Sequence, residues 1–424
     1  MGISGDPRKE EFEAGMNKQL IGRNQTEKPK SARIPRLAIV LRYPIQHFCP
    51  MYRSIAADGR VELLVVFGEA GGVARFDNDF GRVVEWQKDI LEGYNHTFVA
   101  TAKGKRSIGV LEELRKFAPD VVYVHGYAID YLRQAMRWAR RNGVPVLMTT
   151  DSELRHPRPL HVRAMKRLVL PQILRDVDLF LTVGDENERY FEHYGVCKDR
   201  FHRVPFSIDS VYYDQLLLKR IDIRNSIRKK LGISENTVVI LTVGKLIPRK
   251  GQELLIRAFA EAVKSINHHA LLLIVGDGAE RTRLEELANP LGSAVRLLGF
   301  VNVQELPKYY LSADLYVHPS SFDPHPLAIS EALYCSLPVV VSDRVGSAGP
   351  TDDVQAGRNG WIYTNGNVAE LSAILVKVID DSSVRERAAE ISRELGQLHS
   401  ADRCGALFVD GALRALASRK MTKL

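Results

Sequence analysis

The chain has 424 residues, of which 45% are hydrophobic and 26% are charged. This length and balance fit two folded domains of about 200 residues each and exclude general disorder. Lys and Arg outnumber Asp and Glu by 59 to 51. The net charge of +8 suits phosphate-bearing small molecules, anionic lipid surfaces or nucleic acid, and does not choose among them.

The four cysteines are too few and too scattered for a disulfide framework, so we expect free thiols. No apolar stretch reaches the roughly 18 residues that a membrane helix needs, and the chain begins without the apolar core of a signal peptide. We therefore expect a cytoplasmic protein. Residues 1–32 are polar and unpatterned, which predicts a flexible N-terminal arm outside the fold.

From Pro35 onward, short β-branched apolar runs alternate with stretches of helical period, the pattern of parallel sheets covered by helices. The strand candidates of the first half are Leu37–Leu41, Glu62–Val66, Val121–Val124, Val146–Met148 and Leu179–Val183. Those of the second half are Val238–Val243, Leu271–Val275, Val295–Leu298, Leu315–Val317 and Val339–Val341. The sequence after Asn367 is helical almost to its end.

This order predicts an α/β protein with two Rossmann-like domains, over residues 33–206 and 207–398. A last helix over residues 399–424 could pack back on the N-terminal domain. The linker is placed around Phe206–Tyr213, where neither period is clear.

A basic loop connects the first strand of the second half to the helix that starts near Gln252. Gly244 and Lys245 open this loop, and Lys250 and Gly251 close it. Because open α/β sheets bind ligands at the carboxyl ends of their strands, a diphosphate would fit here. The plain alternative is a solvated basic loop. Gly276 ends the next strand and allows either a close ligand or a simple turn.

The most informative stretch is Asp323-Pro-His-Pro-Leu-Ala-Ile-Ser-Glu331, which follows a buried strand ending at His318. Pro326 suits the first turn of a helix on which Glu331 lies about one turn inside. The amides of Leu327 and Ala328 could face an anion, and the Glu331 carboxylate could accept two hydrogen bonds from a ribose diol. The stretch therefore predicts a nucleotide site.

Taken in order, these motifs resemble family 4 glycosyltransferases over about residues 237–365. The matching segments are Gly244-Lys245-Leu246, Lys250-Gly251, Val275-Gly276-Asp277-Gly278, Leu298-Gly299-Phe300, the Asp323-x7-Glu331 pair and Leu337-Pro338-Val339. In the N-terminal half the likeness to a bacterial branch of the family is thinner. It rests there on Tyr43-Pro44, Pro50-Met51-Tyr52-Arg53, Phe80-Gly81 with Trp86, and Leu91-Glu92-Gly93-Tyr94.

The resemblance implies the GT-B fold, a nucleotide-sugar donor on the C-terminal domain, and sugar transfer with retention and without metal or cofactor. The resemblance implies that Lys245 and Lys250 neutralise the donor diphosphate. It also implies that Glu331 holds the ribose and that Asp323 contacts the transferred sugar. The remaining donor-site candidates are Gly244, Gly276, Phe300, His325 and Leu327. The acceptor would be a glycan or a lipid-linked glycan, in surface polysaccharide or glycoconjugate synthesis.

Two departures from the family pattern concern the donor site. Lys245 stands where the family usually has arginine, and lysine lacks the bidentate fork of arginine. The first acid is Asp323 instead of Glu, and Pro324 and Pro326 replace glycines, so two backbone N–H groups are missing. The identity of the donor sugar is therefore open.

In the N-terminal half, His125 ends a strand at its carboxyl edge, where the family often has a histidine near the donor sugar. The resemblance makes it the candidate catalytic histidine, against a purely structural role. Gln46 and His47 follow the first strand, where an acceptor or a donor phosphate could lie, but no glycine-rich loop supports such a site. The segment Leu154–Arg175 has six cations and no acid, so it could touch anionic lipid at the inner face of the membrane or be merely solvated.

Competing interpretations carry less support. Asp77-Asn78-Asp79 matches a metal-binding D-x-D signature but is more often a turn, and no His or Cys cluster has metal-ligand spacing, so we expect no metal. A sugar-nucleotide isomerase of the 2-epimerase type and a non-catalytic GT-B binding protein stay open as alternatives. Nucleic acid is not expected, because the cations are not interleaved with aromatics.

Overall fold

The N-terminal half is built on a parallel sheet. The structure, a computed structural model, describes residues 33–69, 74–77, 82–85, 90–99 and 106–421. The strands of this half are β1 (Arg36–Leu41), β2 (Glu62–Phe67), β3 (Ala74–Asp77), β4 (Arg82–Glu85), β5 (His96–Phe98), β6 (Val121–His125), β7 (Val146–Thr149), β8 (Leu179–Thr182) and β9 (Phe201–Arg203). The sheet order is β5-β2-β1-β6-β7-β8-β9, and β3 and β4 form a separate antiparallel pair. The helices are α1 (Cys49–Asp58), α2 (Arg106–Phe117), α3 (Asp130–Arg141), α4 (Leu160–Leu174) and α5 (Asp185–His193).

A second parallel sheet forms the C-terminal half. Its strands are β10 (Val238–Val243), β11 (Ala270–Val275), β12 (Val295–Gly299), β13 (Leu315–His318), β14 (Val339–Ser342) and β15 (Gly360–Tyr363). They lie in the order β12-β11-β10-β13-β14-β15. The helices are α6 (Ser210–Leu217), α7 (Arg220–Lys230), α8 (Gln252–Ala262), α9 (Arg281–Ala288), α10 (Leu306–Ser312), α11 (Leu327–Tyr334), α12 (Val368–Asp380), α13 (Ser382–Gly396) and α14 (Ala401–Met421).

Both faces of each sheet are covered, which explains the continuous apolar runs. In β1, Leu37 and Ile39 face one core, and Ala38 and Val40 face the other. All four side chains are fully buried, because successive residues of a strand point to opposite faces.

The last helix, α14, returns to the N-terminal sheet. Cys404, Phe408 and Ala412, spaced four residues apart, form one buried stripe that packs in the same core as Leu37. The ring of Phe408 lies 4.9 Å from that of Tyr123 on β6. From Pro35 on, the chain forms one compact unit, so the expected division at residues 206 and 398 stays a prediction.

The strand order places two crevices. In the first sheet it reverses between β1 and β6, and in the second between β10 and β13. The loops that follow two such strands turn to opposite faces and leave a gap at the carboxyl edge of the sheet, where α/β proteins bind ligands. The candidate residues after β10 and β13 therefore flank one gap, and His47 and His125 flank the other.

The structure corrects several expectations. The strand search missed β5 and β9, which have three residues each, β15, which opens with glycine, and the β3–β4 pair. Pro326 directly precedes α11 instead of lying in its first turn. The expected N-terminal arm and the residues Asn78, Asp79, Phe80, Gly81 and Trp86 lie outside the described residues. Among those that are described, no helix is long and apolar enough to span a bilayer.

Candidate functional site

The basic loop after β10 packs directly on the loop after β13. Gly251 has a φ of +74°, and a Cβ there would lie 2.1 Å from the carbonyl oxygen of Pro319. Only glycine fits this contact. The side chain of Lys250 turns back over Gly244, with its Cδ 3.8 Å from where a Cβ would be. The close packing brings the ammonium of Lys250 to the end of β13.

Asp323 forms an ion pair with that ammonium and is mostly buried. Its Oδ2 lies 2.5 Å from Nζ of Lys250 and 3.0 Å from Nε2 of His318. The Nδ1 of His318 lies 3.1 Å from the hydroxyl of Tyr316, so Tyr316 donates to His318, which donates to Asp323. Burial lowers the pKa of His318 and keeps it neutral. Burial alone would raise the pKa of Asp323, but its contacts with His318 and Lys250 hold that pKa well below its usual range. Asp323 is therefore an ionised carboxylate at the edge of the gap.

Glu331 lies on the buried face of α11 in a contrasting environment. Its Oε2 accepts a hydrogen bond of 3.0 Å from the hydroxyl of Tyr310. Burial raises the pKa of Glu331 to about 7, although the hydrogen bond with Tyr310 lowers it. A buried carboxylate with spare acceptor capacity gains from further donors, which a ribose diol would supply.

The glycine candidates shape the floor of the same gap. Gly276 follows β11 with a φ of +144°, and a Cβ there would lie 1.8 Å from the carbonyl oxygen of Gly244. The amide of Gly276 donates to the carbonyl of Gly299, next to Phe300. Lys245 and Phe300 are half-buried at the carboxyl edges of β10 and β12. The structure thus brings Gly244, Lys245, Gly276 and Phe300 to one edge, as the motifs predict.

The residues before and in α11 divide their roles between backbone and side chain. Leu327 opens the helix, and the first amides of a helix have no intrahelical partner, so they are suited to an anion. The imidazole of His325 points into the protein, with Nε2 3.4 Å from Oδ2 of Asp353 and the ring 5.2 Å from that of Phe206. Any donor contact of His325 would therefore come from its backbone.

An aromatic path joins the two halves and ends at His125. The ring of Phe206, in the crossing between the halves, lies 5.5 Å from that of Phe48, which lies 5.3 Å from that of His125. The hydroxyl of Tyr123 contacts Nδ1 of His125 at 3.1 Å. Burial lowers the pKa of His125, so the ring is neutral at pH 7 and able to hydrogen-bond in either direction.

One acid that the sequence analysis missed faces the same region. Asp151 follows β7, is exposed, and acts electrostatically on both His125 and His325, whose pKa values it raises against the effect of burial. The signal available in the sequence was its position just after a buried strand, at the carboxyl edge of the sheet.

A buried cluster lies beside the site. Ligand atoms of His325, Asp352 and Asp353 lie within 4.8 Å of one another, a grouping that the sequence spacing did not predict and that could hold a cation. The two carboxylates already have protein partners, whereas Nε2 of His325 is buried without a hydrogen-bond partner in the described part of the chain. Asp353 accepts from Nε2 of His399 at 2.9 Å, and Asp352 accepts from the amide of Asp185 at 2.6 Å. The cluster is best explained as a bridge that ties the C-terminal half to the start of α5.

Arg155 is a second bridge between the halves. Its guanidinium donates to the carbonyls of Ala348 at 2.9 Å and Asp343 at 3.2 Å, and to Glu186 at 3.1 Å. The sequence analysis counted Arg155 among six cations of Leu154–Arg175 that could touch lipid or be solvated, whereas in the structure its guanidinium is bound inside the protein. The loop it holds also supports the site, since the amide of Gly346 donates to the carbonyl of Asp323 at 2.8 Å.

Two facing Rossmann-like sheets with a phosphate-suited gap in the second define a GT-B protein. Two family models match the chain: "Glycosyl transferase 4-like domain" over residues 47–207 and "Glycosyl transferases group 1" over residues 223–395. The chain belongs to the family 4 glycosyltransferases.

Similar proteins agree with this family. A GDP-mannose-dependent monoacylated alpha-(1-6)-phosphatidylinositol monomannoside mannosyltransferase of Corynebacterium glutamicum is 28% identical over 51% of this chain and 56% of its own. The lipopolysaccharide glucosyltransferase WaaG of Escherichia coli is 27% identical over 55% of this chain and 61% of its own. The structure of Anabaena HepE in complex with UDP shares the fold, with a TM-score of 0.68 and 19% identity over 88% of this chain and 98% of its own. The chain spans about half the length of the curated relatives it matches.

Proposed function

We propose that the protein transfers a sugar from a nucleotide-sugar donor to a glycan or lipid-linked acceptor, with retention and without a metal ion. The observation that carries this proposal is the meeting of Lys250 with Asp323 at the gap between β10 and β13, with Glu331 one helical turn into α11. The ammonium of Lys250, the ionised carboxylate of Asp323 and the buried carboxyl group of Glu331, which would accept hydrogen bonds from a ribose, lie at the edge where α/β sheets bind nucleotides.

The reaction needs stabilisation of the leaving diphosphate. Lys245 and Lys250 lie on one loop, and Lys250 contacts Asp323, four residues before Leu327, whose amide opens α11. Fixed cations and helix amides directed at a developing negative charge do the electrostatic work that a divalent metal does elsewhere. The leaving diphosphate takes the proton of the acceptor hydroxyl as the new glycosidic bond forms on the same face of the sugar.

The acceptor side is the carboxyl edge of the first sheet. His125 is neutral and half-buried there, and Asp151 is exposed beside it. Both can hydrogen-bond hydroxyl groups of a sugar or of its acceptor. The names of the relatives point to glycolipid and lipopolysaccharide acceptors, so the enzyme would work in the cytoplasm at the inner face of the membrane.

The donor base is the first point to test, because one relative is named for GDP-mannose and one solved neighbour holds UDP. We would screen UDP, GDP, ADP and their sugars by thermal shift in two parallel series, one with EDTA and one with Mg²⁺. Stabilisation grows with the ratio of ligand concentration to Kd, so a donor with a micromolar Kd raises Tm measurably. A shift with one nucleotide series identifies the base and a metal-free site. A shift that requires a divalent cation would overturn metal independence.

Retention is tested on the product. With the identified donor and an acceptor, the anomeric configuration of the new bond is read by NMR, and inversion would contradict the proposed same-face attack. An isomerase would instead alter the sugar nucleotide without any acceptor, which the same spectra detect.

A further inference from the structure

Three polar side chains are buried in the core beside the proposed donor site. Tyr310 lies on α10, and Tyr316 and His318 lie two residues apart on β13, so the last two point to the same face of that strand. Both tyrosines are fully buried, and they pack in the core to which α11 also contributes. Because a buried polar group is costly unless it is hydrogen-bonded, the partners of these three residues show what they hold in place.

The hydroxyl of Tyr310 holds Glu331. It donates to Oε2 of that residue at 3.0 Å. Burial raises the pKa of Glu331 to about 7, and the hydroxyls of Tyr310 and Tyr213 act against that rise. Tyr213 and Cys335 also face Glu331, but burial raises the pKa of both, so they stay neutral between pH 5 and pH 9. Tyr310 is therefore a donor that favours the carboxylate form of Glu331.

Tyr316 serves the other acid through His318. Its hydroxyl lies 3.1 Å from Nδ1 of His318, and Nε2 of the same ring lies 3.0 Å from Oδ2 of Asp323. Donation to Nδ1 keeps the proton of the neutral imidazole on Nε2, where it faces the carboxylate. Tyr316 thereby fixes both the tautomer and the orientation of the group that donates to Asp323.

The two tyrosines lie next to each other, so the contacts of one acid adjoin those of the other. Their ring centroids are 5.7 Å apart. Burial raises the pKa of Tyr316 far above its usual range, the charges of Glu331 and Asp323 raise it further, and a contact with the hydroxyl of Tyr310 lowers it. Tyr316 is thus within electrostatic reach of both acids.

We propose that Tyr310 and Tyr316 are positioning residues that orient the two acids of the donor site and couple them to each other. Tyr310 holds the Glu331 carboxylate for the ribose, and Tyr316 holds Asp323, through His318, for the transferred sugar. This inference rests on the proposed function. Because the hydrogen bonds of a connected network polarise one another, the loss of one hydroxyl should weaken the effect of the other.

The first test is the pH dependence of nucleotide affinity in Tyr310→Phe. The probe is UDP, GDP or ADP, whichever raises Tm in the thermal-shift screen, and its Kd is measured by isothermal titration from pH 5.5 to pH 9. Loss of a hydrogen bond to a charged group should raise the pKa of Glu331 by about one unit. The midpoint of the affinity profile should therefore move up by about one pH unit. Affinity should be about tenfold below wild type at pH 6 and close to wild type at pH 9.

Tyr334→Phe is the matched control. It removes another buried hydroxyl, one that donates to Oδ1 of Asp214 at 2.8 Å and lies on the same helix as Glu331. Its affinity profile should keep the wild-type midpoint. An equal loss at every pH in Tyr310→Phe, or the same shift in both variants, would overturn the role of Tyr310, because a purely structural change does not depend on the ionisation of Glu331.

Tyr316→Phe should act on the sugar. Without the donor at Nδ1, the ring of His318 loses the contact that fixes its orientation toward Asp323. The Kd of the nucleotide sugar should rise about fivefold to tenfold, the worth of one hydrogen bond, whereas the Kd of the matching nucleoside diphosphate should change less than about twofold. Equal losses for both ligands would mean a general loosening of the site and would contradict the assignment of Tyr316 to Asp323.

The double variant tests the coupling. If the two hydroxyls belong to one network, Tyr310→Phe/Tyr316→Phe should lose at least about twofold less affinity for the nucleotide sugar at pH 7 than the product of the two single losses. A loss equal to that product would mean two independent contacts, and the proposed coupling would be wrong.

A measurement without ligand separates this inference from the proposed function. The folded pKa of Glu331 lies above its unfolded value, so the free energy of unfolding falls as pH rises through the folded pKa. In urea denaturation, this fall should extend about one pH unit higher in Tyr310→Phe than in wild type. If no nucleotide binds but the fall is shifted, the proposed function fails and the role of Tyr310 stands. If nucleotides bind and the fall is not shifted, the inference fails alone.

Discussion

The ammonium of Lys250 lies 2.5 Å from Oδ2 of Asp323, across the gap between the loops that follow β10 and β13. His318 donates to the same oxygen, and this hydrogen bond together with the charge of Lys250 lowers the pKa of Asp323 and keeps it ionised. The proposed diphosphate cation and the proposed sugar-binding acid are therefore one coupled pair, and a change in either should affect both stability and donor binding.

Lys250→Ala should weaken nucleotide binding about tenfold to a hundredfold, the worth of a charge-assisted hydrogen bond to phosphate. It also leaves Asp323 as a mostly buried carboxylate without its cation, so the free energy of unfolding should fall by about 3 kcal/mol. Isothermal titration and urea denaturation measure the two effects.

The double variant Lys250→Ala/Asp323→Asn separates these effects. It removes the uncompensated charge and should recover much of the lost stability while donor binding stays weak. If the double variant loses as much stability as Lys250→Ala and Asp323→Asn lose in sum, the two residues are not coupled.

Donor affinity should depend on pH through Glu331. Its pKa of about 7 in the folded protein means that the carboxylate forms as pH rises through neutrality. Because the carboxylate is the better acceptor for ribose hydroxyls, nucleotide affinity should rise about tenfold between pH 6 and pH 8. Glu331→Gln should bind more weakly and lose this dependence. A wild-type Kd that is flat over this range would rule out Glu331 as the titrating group.

The same residue has an opposite effect on stability without ligand. A carboxyl whose folded pKa of about 7 exceeds the unfolded value of 4.5 binds more protons in the folded state, so the unfolding free energy falls as pH rises between these values. The difference should reach about 3 kcal/mol for this group and be absent in Glu331→Gln.

Much of the fold could be predicted because its strands are buried on both faces. Every residue of the run Val238–Val243 is apolar or β-branched, and the structure has the strand at those bounds. The strand β9 (Phe201–Arg203) was not predictable in this way. It has three residues, all half-buried, and is defined by its pairing with β8, which periodicity does not record.

The site was predictable where chemistry follows a strand end and not where it depends on partners distant in sequence. Lys250 and Asp323 were found from their places after two strands. Asp353 and His399 were not, because nothing in the sequence links residues 46 positions apart whose side chains meet at 2.9 Å. His325 was assigned to the donor from the motif alone, whereas packing turns its imidazole toward Asp353.

Gly276→Ala should destabilise the protein and weaken donor binding together. The φ of +144° is unfavourable for alanine, and the new Cβ would lie 1.8 Å from the carbonyl of Gly244. We expect a loss of about 2–4 kcal/mol. Gly366→Ala is the control, because that glycine also has a positive φ but has nothing within 4 Å of a Cβ, so only about 1 kcal/mol of backbone strain applies. Similar losses in both would mean that the contact with Gly244 is unimportant.

Asp151→Asn should affect the acceptor and spare the donor. The carboxylate is exposed after β7 and acts on His125 on the proposed acceptor side. Loss of a charged acceptor of hydrogen bonds should raise the KM for the acceptor about tenfold and leave the KM for the donor unchanged. Asp199→Asn, exposed before β9 at the opposite edge of the sheet, serves as the control. A rise in the KM for the donor alone would mean that Asp151 serves the donor site and not the acceptor site.

Arg155→Ala should weaken donor binding although Arg155 touches none of the proposed donor residues. Its guanidinium ties Glu186 of the N-terminal half to the carbonyls of Ala348 and Asp343. Its loss leaves Glu186 buried with only the exposed Arg189 as its cation, which should cost about 2 kcal/mol of stability. The loop it releases contains Gly346, whose amide holds the Asp323 backbone. Donor Kd should therefore rise severalfold.

Arg158→Ala is the matched control for that variant, because Arg158 lies three residues away, is exposed and forms no ion pair within the described chain. In the absence of membranes it should leave both stability and donor Kd unchanged. The comparison decides between two roles for the basic segment. If both variants behave alike, Arg155 contributes only charge. If only Arg155→Ala raises the donor Kd, Arg155 links the two halves. Contact between the halves then helps to shape the donor site.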